Sequence, residues 1–190
     1  MVLSEAQKRK IARFAAQRYK DNDVFHRMKH IRNVVANAAM LVRKEGGDRD
    51  VCWAASMLHD IAKHKRGDHG TIGAKEARDF LLGIGVDRAT VDRIYDVIHF
   101  HNKGFVGGPI ERQIVYDADK LDSITLHGFR KRTLRYFKME SASRGLVRRV
   151  ESEYLLLKKG IHTEEAKRLV NKDEAQIMRI FSKLKAGRHG

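Results

Sequence analysis

The sequence predicts an all-α protein, and three observations carry that prediction. Proline occurs once and glycine fifteen times in 190 residues, too little punctuation for a sandwich of many short strands. Apolar residues recur at three- and four-residue intervals, and no convincing run alternates with the two-residue period of a half-buried strand. Capping residues stand before the apolar stripes. With 42% hydrophobic and 33% charged residues the chain has the balance of a folded domain.

The elements follow in order. Ser4-Glu5-Ala6-Gln7 has the spacing of a capping box, and Ile11, Phe14, Ala15 and Tyr19 make the apolar stripe behind it. A second helix is expected from about Phe25 to Glu45, with Ile31, Val34, Val35, Ala38 and Val42 on one face and Gly46-Gly47 as its stop. Asp48 can cap a third, which turns Val51, Ala54, Ala55 and Leu58 inward and ends near Gly67. A fourth spans about Thr71 to Leu82. A fifth, capped by Asp87, reaches about His101 with Val91, Ile94 and Ile98 inward. Asn102 to Gly108 reads as a loop with three glycines, and Pro109 suits the first position of a sixth helix ending near Ile124. Two or three basic helices follow. The last, after Thr163, buries Ala166, Leu169, Val170, Ile177, Ile180, Phe181 and Leu184.

Composition narrows the function classes. The single cysteine, Cys52, excludes an intrachain disulfide framework and a cysteine-cluster zinc site. No stretch approaches the roughly 18 apolar residues of a membrane span, and MVLSEAQKRK has no apolar signal core, so a cytoplasmic protein without a membrane partner is expected. The net charge of +15 is uneven. Residues 1–126 carry 22 basic and 17 acidic side chains, residues 127–190 carry 17 and 7. Such a surface attracts phosphates, in a nucleic acid or a nucleotide, although a solvated helical surface reads the same way.

Ten histidines are the chemical signal. His59-Asp60 stands near the end of the apolar third helix, where adjacent side chains diverge by about 100° yet can both reach an ion lying against that flank. An imidazole with a carboxylate suits a borderline or hard divalent ion. Around the pair lie His30-Ile31-Arg32-Asn33-Val34-Val35, then Ala54 to Lys63, then His69-Gly70-Thr71-Ile72-Gly73-Ala74, Ile98-His99-Phe100-His101, and Ile114 to Asp122. This order of blocks, over about Phe25 to Ile124, resembles the HD-domain metal-dependent phosphohydrolases, and the closing helix resembles that of their small single-domain members.

The resemblance implies an HD-domain helical bundle: one domain over 1–190, with a core of about 25–125 and a basic helical extension of about 127–187. It implies that His30, His59, Asp60 and Asp119 hold a divalent ion, which would be Mn, Fe, Co, Ni or Mg. On an ideal helix Asp117 shares the face of Ile110, Ile114 and Leu121, whereas Asp119 lies opposite, so the wheel names Asp117 as the rival. A central, doubly buried sixth helix would remove that conflict. His69 and His101 match positions that bind a second metal or touch substrate phosphate in some members; the plain alternative is a capping-loop residue and a core histidine. His26 is a lesser rival of His30. Lys63 and Lys120 adjoin ligands and match phosphate contacts, with Ala62 replacing the family's usual glycine. Arg66 and Lys103 would line the mouth. Phe105 in the glycine-rich loop stacks on a base or plugs the site.

The implied reaction is attack of metal-activated water on a phosphoester or phosphoanhydride of a nucleotide-like substrate, with Asp60 or Asp122 as proton acceptor. The competing expectations are a basic helical nucleic-acid-binding module and a non-catalytic HD sensor of metal or nucleotide.

Overall fold

The computed structural model describes residues 3–20, 22, 28–103, 107–139 and 143–186. Among them there are nine helices and no strand: α1 (Glu5–Arg18), α2 (Met28–Glu45), α3 (Arg49–Leu58), α4 (His69–Gly83), α5 (Arg88–Phe100), α6 (Ile110–Ile124), α7 (Leu126–Met139), α8 (Arg144–Lys159) and α9 (Glu164–Lys185). The caps read from the sequence are in place. Ser4 and Gln7 make the reciprocal capping box, and Asp48 and Asp87 accept backbone N–H groups of the first turns of α3 and α5. The second helix is described only from Met28, so Phe25 and His26 lie outside the described residues.

Helix α6 is the axis of the fold. It packs against α2, α3, α5, α7, α8 and α9, and Ile114, Val115, Asp117, Ala118 and Leu121 are buried around its circumference. A helix covered on both sides can turn a carboxylate inward on each, which removes the conflict between Asp117 and Asp119. Along the last helix Ala166, Val170, Ile177 and Phe181 are buried, with Leu169, Ile180 and Leu184 half-buried at the seam.

Three boundaries differ from expectation. The third helix stops at Leu58, not near Gly67, and His59 is its C-cap. Beyond it the chain advances by i to i+3 turns, Ile61 N–H to Leu58 O, Lys63 N–H to Asp60 O and Lys65 N–H to Ala62 O. The end of α1 clamps this stretch. The Tyr19 hydroxyl donates to Met57 O at 3.1 Å and accepts from Asp60 N–H at 3.2 Å, while Asn22 donates to Asp60 O. The fourth helix begins at His69, because Asp68, whose side chain accepts from Gly70 and Thr71 N–H, is the N-cap. Pro109 is the N-cap of α6 rather than its first residue, since its ψ of 149° is extended.

Candidate metal centre

At the end of α3, His59 and Asp60 bring Nε2 and Oδ2 to within 3.5 Å of each other. His30 arrives from the first turn of α2, His69 as the first residue of α4, His101 as the C-cap of α5 and Asp119 from α6. Their ligand atoms form two groups, His30 with His59 and Asp119, and Asp60 with His69 and His101, each group lying within 4.8 Å. Asp60 joins the groups. Its Oδ2 is 3.5 Å from His59 Nε2, and its Oδ1 is 3.4 Å from both His69 Nε2 and His101 Nε2. Asp119 Oδ1 lies 3.2 Å from His30 Nε2 and 3.8 Å from His59 Nε2.

The donor set fits divalent ions. His59 Nδ1–H donates to Ser56 O and His101 Nδ1–H to Ile98 O, which leaves each Nε2 as a lone pair facing inward. Both Nε2 atoms are buried without a hydrogen-bond partner, the condition a metal ion relieves. Burial lowers the His59 pKa to about 4, and burial together with the Lys63 ammonium lowers that of His69 to about 4, so both rings are neutral ligands at pH 7. Burial acts to raise the Asp60 and Asp119 pKa values. It is outweighed at Asp60 by His59 and His101, and at Asp119 by Lys120 and His30, so both carboxylates stay ionised. His30 behaves differently. Burial opposes its protonation, but Asp119 on one nitrogen and Asp122 on the other, at 2.8 Å, raise its pKa to about 9.

The remaining expected residues are distributed unevenly. Lys63 and Lys120 line the cavity beside the centre, with Lys63 Nζ 3.4 Å from His69 Nε2 and Lys120 Nζ 2.6 Å from Asp119 Oδ2. Asp122 is set behind His30. Its second oxygen accepts from Asn33 Nδ2 at 2.6 Å, and it does not line the cavity where a proton acceptor was expected. Asp117 faces the opposite side of α6 and accepts from the N–H of His162 and from the N–H and hydroxyl of Thr163 at the start of α9. Lys103 pairs with Asp68 instead of lining the cavity. Arg66 is exposed and also absent from its lining, and Phe105 lies outside the described residues.

The cavity measures about 440 Å³. One end is Asp60, Lys63, His69, His101, Asp119 and Lys120; the other is Phe129 and Thr133 of α7 with Arg149, Val150, Glu153, Tyr154 and Leu157 of α8. The sequence had shown these helices only as basic.

A family model described as HD domain matches residues 27–124. The bifunctional uridylyltransferase/uridylyl-removing enzyme of Haemophilus influenzae is 37% identical over 54 residues, 28% of this chain and 6% of that protein, so the chain spans a small part of such relatives. A predicted HD superfamily hydrolase from an uncultured Thermotogales bacterium superposes with a TM-score of 0.71 at 22% identity, covering 100% of both chains. Bacillus subtilis YpgQ, solved in complex with ADP, superposes with a TM-score of 0.77 at 20% identity over 96% of this chain and 95% of that one. At such identities the superpositions speak for the fold. No helix among the described residues is long and apolar enough to cross a membrane.

Proposed function

The chain belongs to the HD-domain family, and from that premise we propose that it is a metal-dependent phosphohydrolase acting on a small nucleotide-like phosphoester or phosphoanhydride. One observation carries the reading: the Asp60 carboxylate spans two ligand groups whose buried His59 and His101 Nε2 atoms have no hydrogen-bond partner. Two ions fit this donor set better than one. His30, His59 and Asp119 would hold the first, His69 and His101 the second, and Asp60 would bridge. Ions so held supply Lewis acidity to a water and to a phosphoryl oxygen.

The other residues act around that centre. Lys63 and Lys120 place positive charge on the cavity wall where phosphoryl oxygens would lie. Lys120 also fixes Asp119 through its 2.6 Å contact, and its ammonium sits 5.0 Å from the Tyr116 ring centroid. Asp122 and Asn33 hold the His30 ring in orientation. The far end, with Phe129, Tyr154 and Leu157 as apolar surface and Arg149, Thr133 and Glu153 as polar groups, suits the remainder of a nucleotide better than a bare phosphate. The ADP complex of YpgQ and the uridylyl-removing relatives support a nucleotide-like substrate.

Metal analysis of the purified chain, followed by phosphate release from a nucleotide panel with Mn, tests the reading. The double substitution His59→Ala, Asp60→Ala is expected to abolish both metal content and release. Turnover that survives it would refute the site. Metal binding without release from any nucleotide would favour a sensor.

A further inference from the structure

The two ligand groups are held by different means. The first draws on α2, the clamped turn after α3 and the central α6. The second takes His69 from the first residue of α4 and His101 from the last position of α5. The two rings, with centroids 5.2 Å apart, meet where the start of α4 joins the end of α5, two helices that pack closely against each other. At the junction itself, polar side chains add to that packing.

Asp68 stands at that junction. On its own helix its carboxylate accepts from Gly70 N–H at 3.1 Å, Thr71 N–H at 3.3 Å and the Thr71 hydroxyl at 2.6 Å. From the end of α5 it accepts from Asn102 Nδ2 at 3.2 Å and pairs with the Lys103 ammonium. The first three bonds are what an N-cap needs. The last two are not part of a cap, and they come from the two residues that directly follow His101. Thr71 extends the junction, its hydroxyl 3.2 Å from His99 Nδ1. Gly70 closes it. A Cβ there would stand 2.6 Å from Asn102 Oδ1 and 3.1 Å from His99 O, so a larger residue would displace the Asn102 side chain and press on the end of α5.

We propose that Asp68 is a positioning residue that ties the start of α4 to the end of α5, and that binding of the second ion depends on this tie while binding of the first does not. The proposal rests on the two-ion reading above. It gives Lys103 a task too, as the α5 side of the tie.

Asp68→Ser separates the cap from the tie, because serine caps a helix about as well as aspartate but is too short to hold Asn102 and Lys103 together. The experiment titrates the metal-free full chain with MnCl2 by calorimetry. The unsubstituted protein should bind two Mn ions per chain. Asp68→Ser should bind the first with affinity within about twofold and the second at least about tenfold more weakly, as loss of outer-sphere support does elsewhere. Lys103→Met should show the same selective loss. An unchanged melting temperature of the metal-free variant would show that the cap survives; if Asp68→Ser unfolds, Lys103→Met decides on the same criteria. Two sites of unaltered affinity, or equal weakening of both, would overturn the proposal. Binding of a single Mn by the unsubstituted protein would instead overturn the two-ion reading, and this proposal with it.

Discussion

Two aspartates two residues apart on α6 should fail in opposite ways. Asp117→Ala removes a fully buried carboxylate that receives 2.7 Å bonds from the Thr163 N–H and hydroxyl and a longer bond from the His162 N–H. Thr163 is the N-cap of α9 yet makes no side-chain cap bond of its own; Asp117 anchors the two residues that lead into the helix, and the first-turn N–H of Glu165 is accepted by Glu45 Oε1 at 2.7 Å. Hydrogen bonds to a charged acceptor contribute about 1.5–3 kcal/mol each, which puts the two short ones at about 3–6 kcal/mol. Burial raises the Asp117 pKa in spite of these donors, so desolvation offsets part of the gain and the lower end, about 3 kcal/mol, is the better figure. For a domain of this size that corresponds to a fall in melting temperature of about 6–12 °C. Asp119→Ala should instead abolish Mn binding at the first ligand group. The assay is a thermal melt of each metal-free variant beside a Mn titration. An Asp117→Ala chain that melts like the parent and loses Mn would show that the assignment on α6 is reversed.

Three further outcomes are expected. Because His30 keeps its proton up to about pH 9 in the metal-free chain, Mn binding at pH 7 should release a proton; its affinity should rise with pH, and the calorimetric heat should vary with the ionisation enthalpy of the buffer. Metal-free stability should peak near pH 6.5. The raised His30 pKa contributes stability fully present below 6.5 and lost as pH climbs to about 9. The lowered His59 and His69 pKa values contribute stability present above 6.5 and lost as pH falls towards about 4, at up to about 1.4 kcal/mol per unit for each group. Urea melts in a chelator at pH 5, 6.5 and 8.5 test this, and a monotonic trend would contradict it. Gly128→Ala should destabilise by about 3 kcal/mol in a thermal or urea melt, because its Cβ would lie 2.2 Å from the Asp122 carbonyl oxygen, forcing α7 away from α6.

Much of this was legible in the sequence because it is local or ordered along the chain. The caps at Ser4, Asp48 and Asp87 depend on side chains within three residues of the groups they satisfy. The histidine and aspartate blocks carry their order whatever the packing. The sequence could not show where the third helix ends, since the turn at His59 is held by Tyr19 and Asn22 from some forty residues away. Nor could the helical wheel support Asp119, which the resemblance implied, over Asp117, because what distinguishes them is Thr163 on one side and His30 on the other. The second wall of the cavity was hidden for the same reason. A basic amphipathic helix looks alike whether its inner face meets a neighbour or a ligand.

That wall has a wider meaning. Among the described residues, both side-chain groups that could hold a metal lie before residue 120, whereas Phe129, Thr133, Arg149 and Tyr154 come from the last third of the chain. On the proposed function, the reactive groups and the surface that would meet the rest of the substrate come from separate stretches of the polypeptide. Rewriting the later stretch would retune which compound is accepted, and the reactive end would be left as it stands.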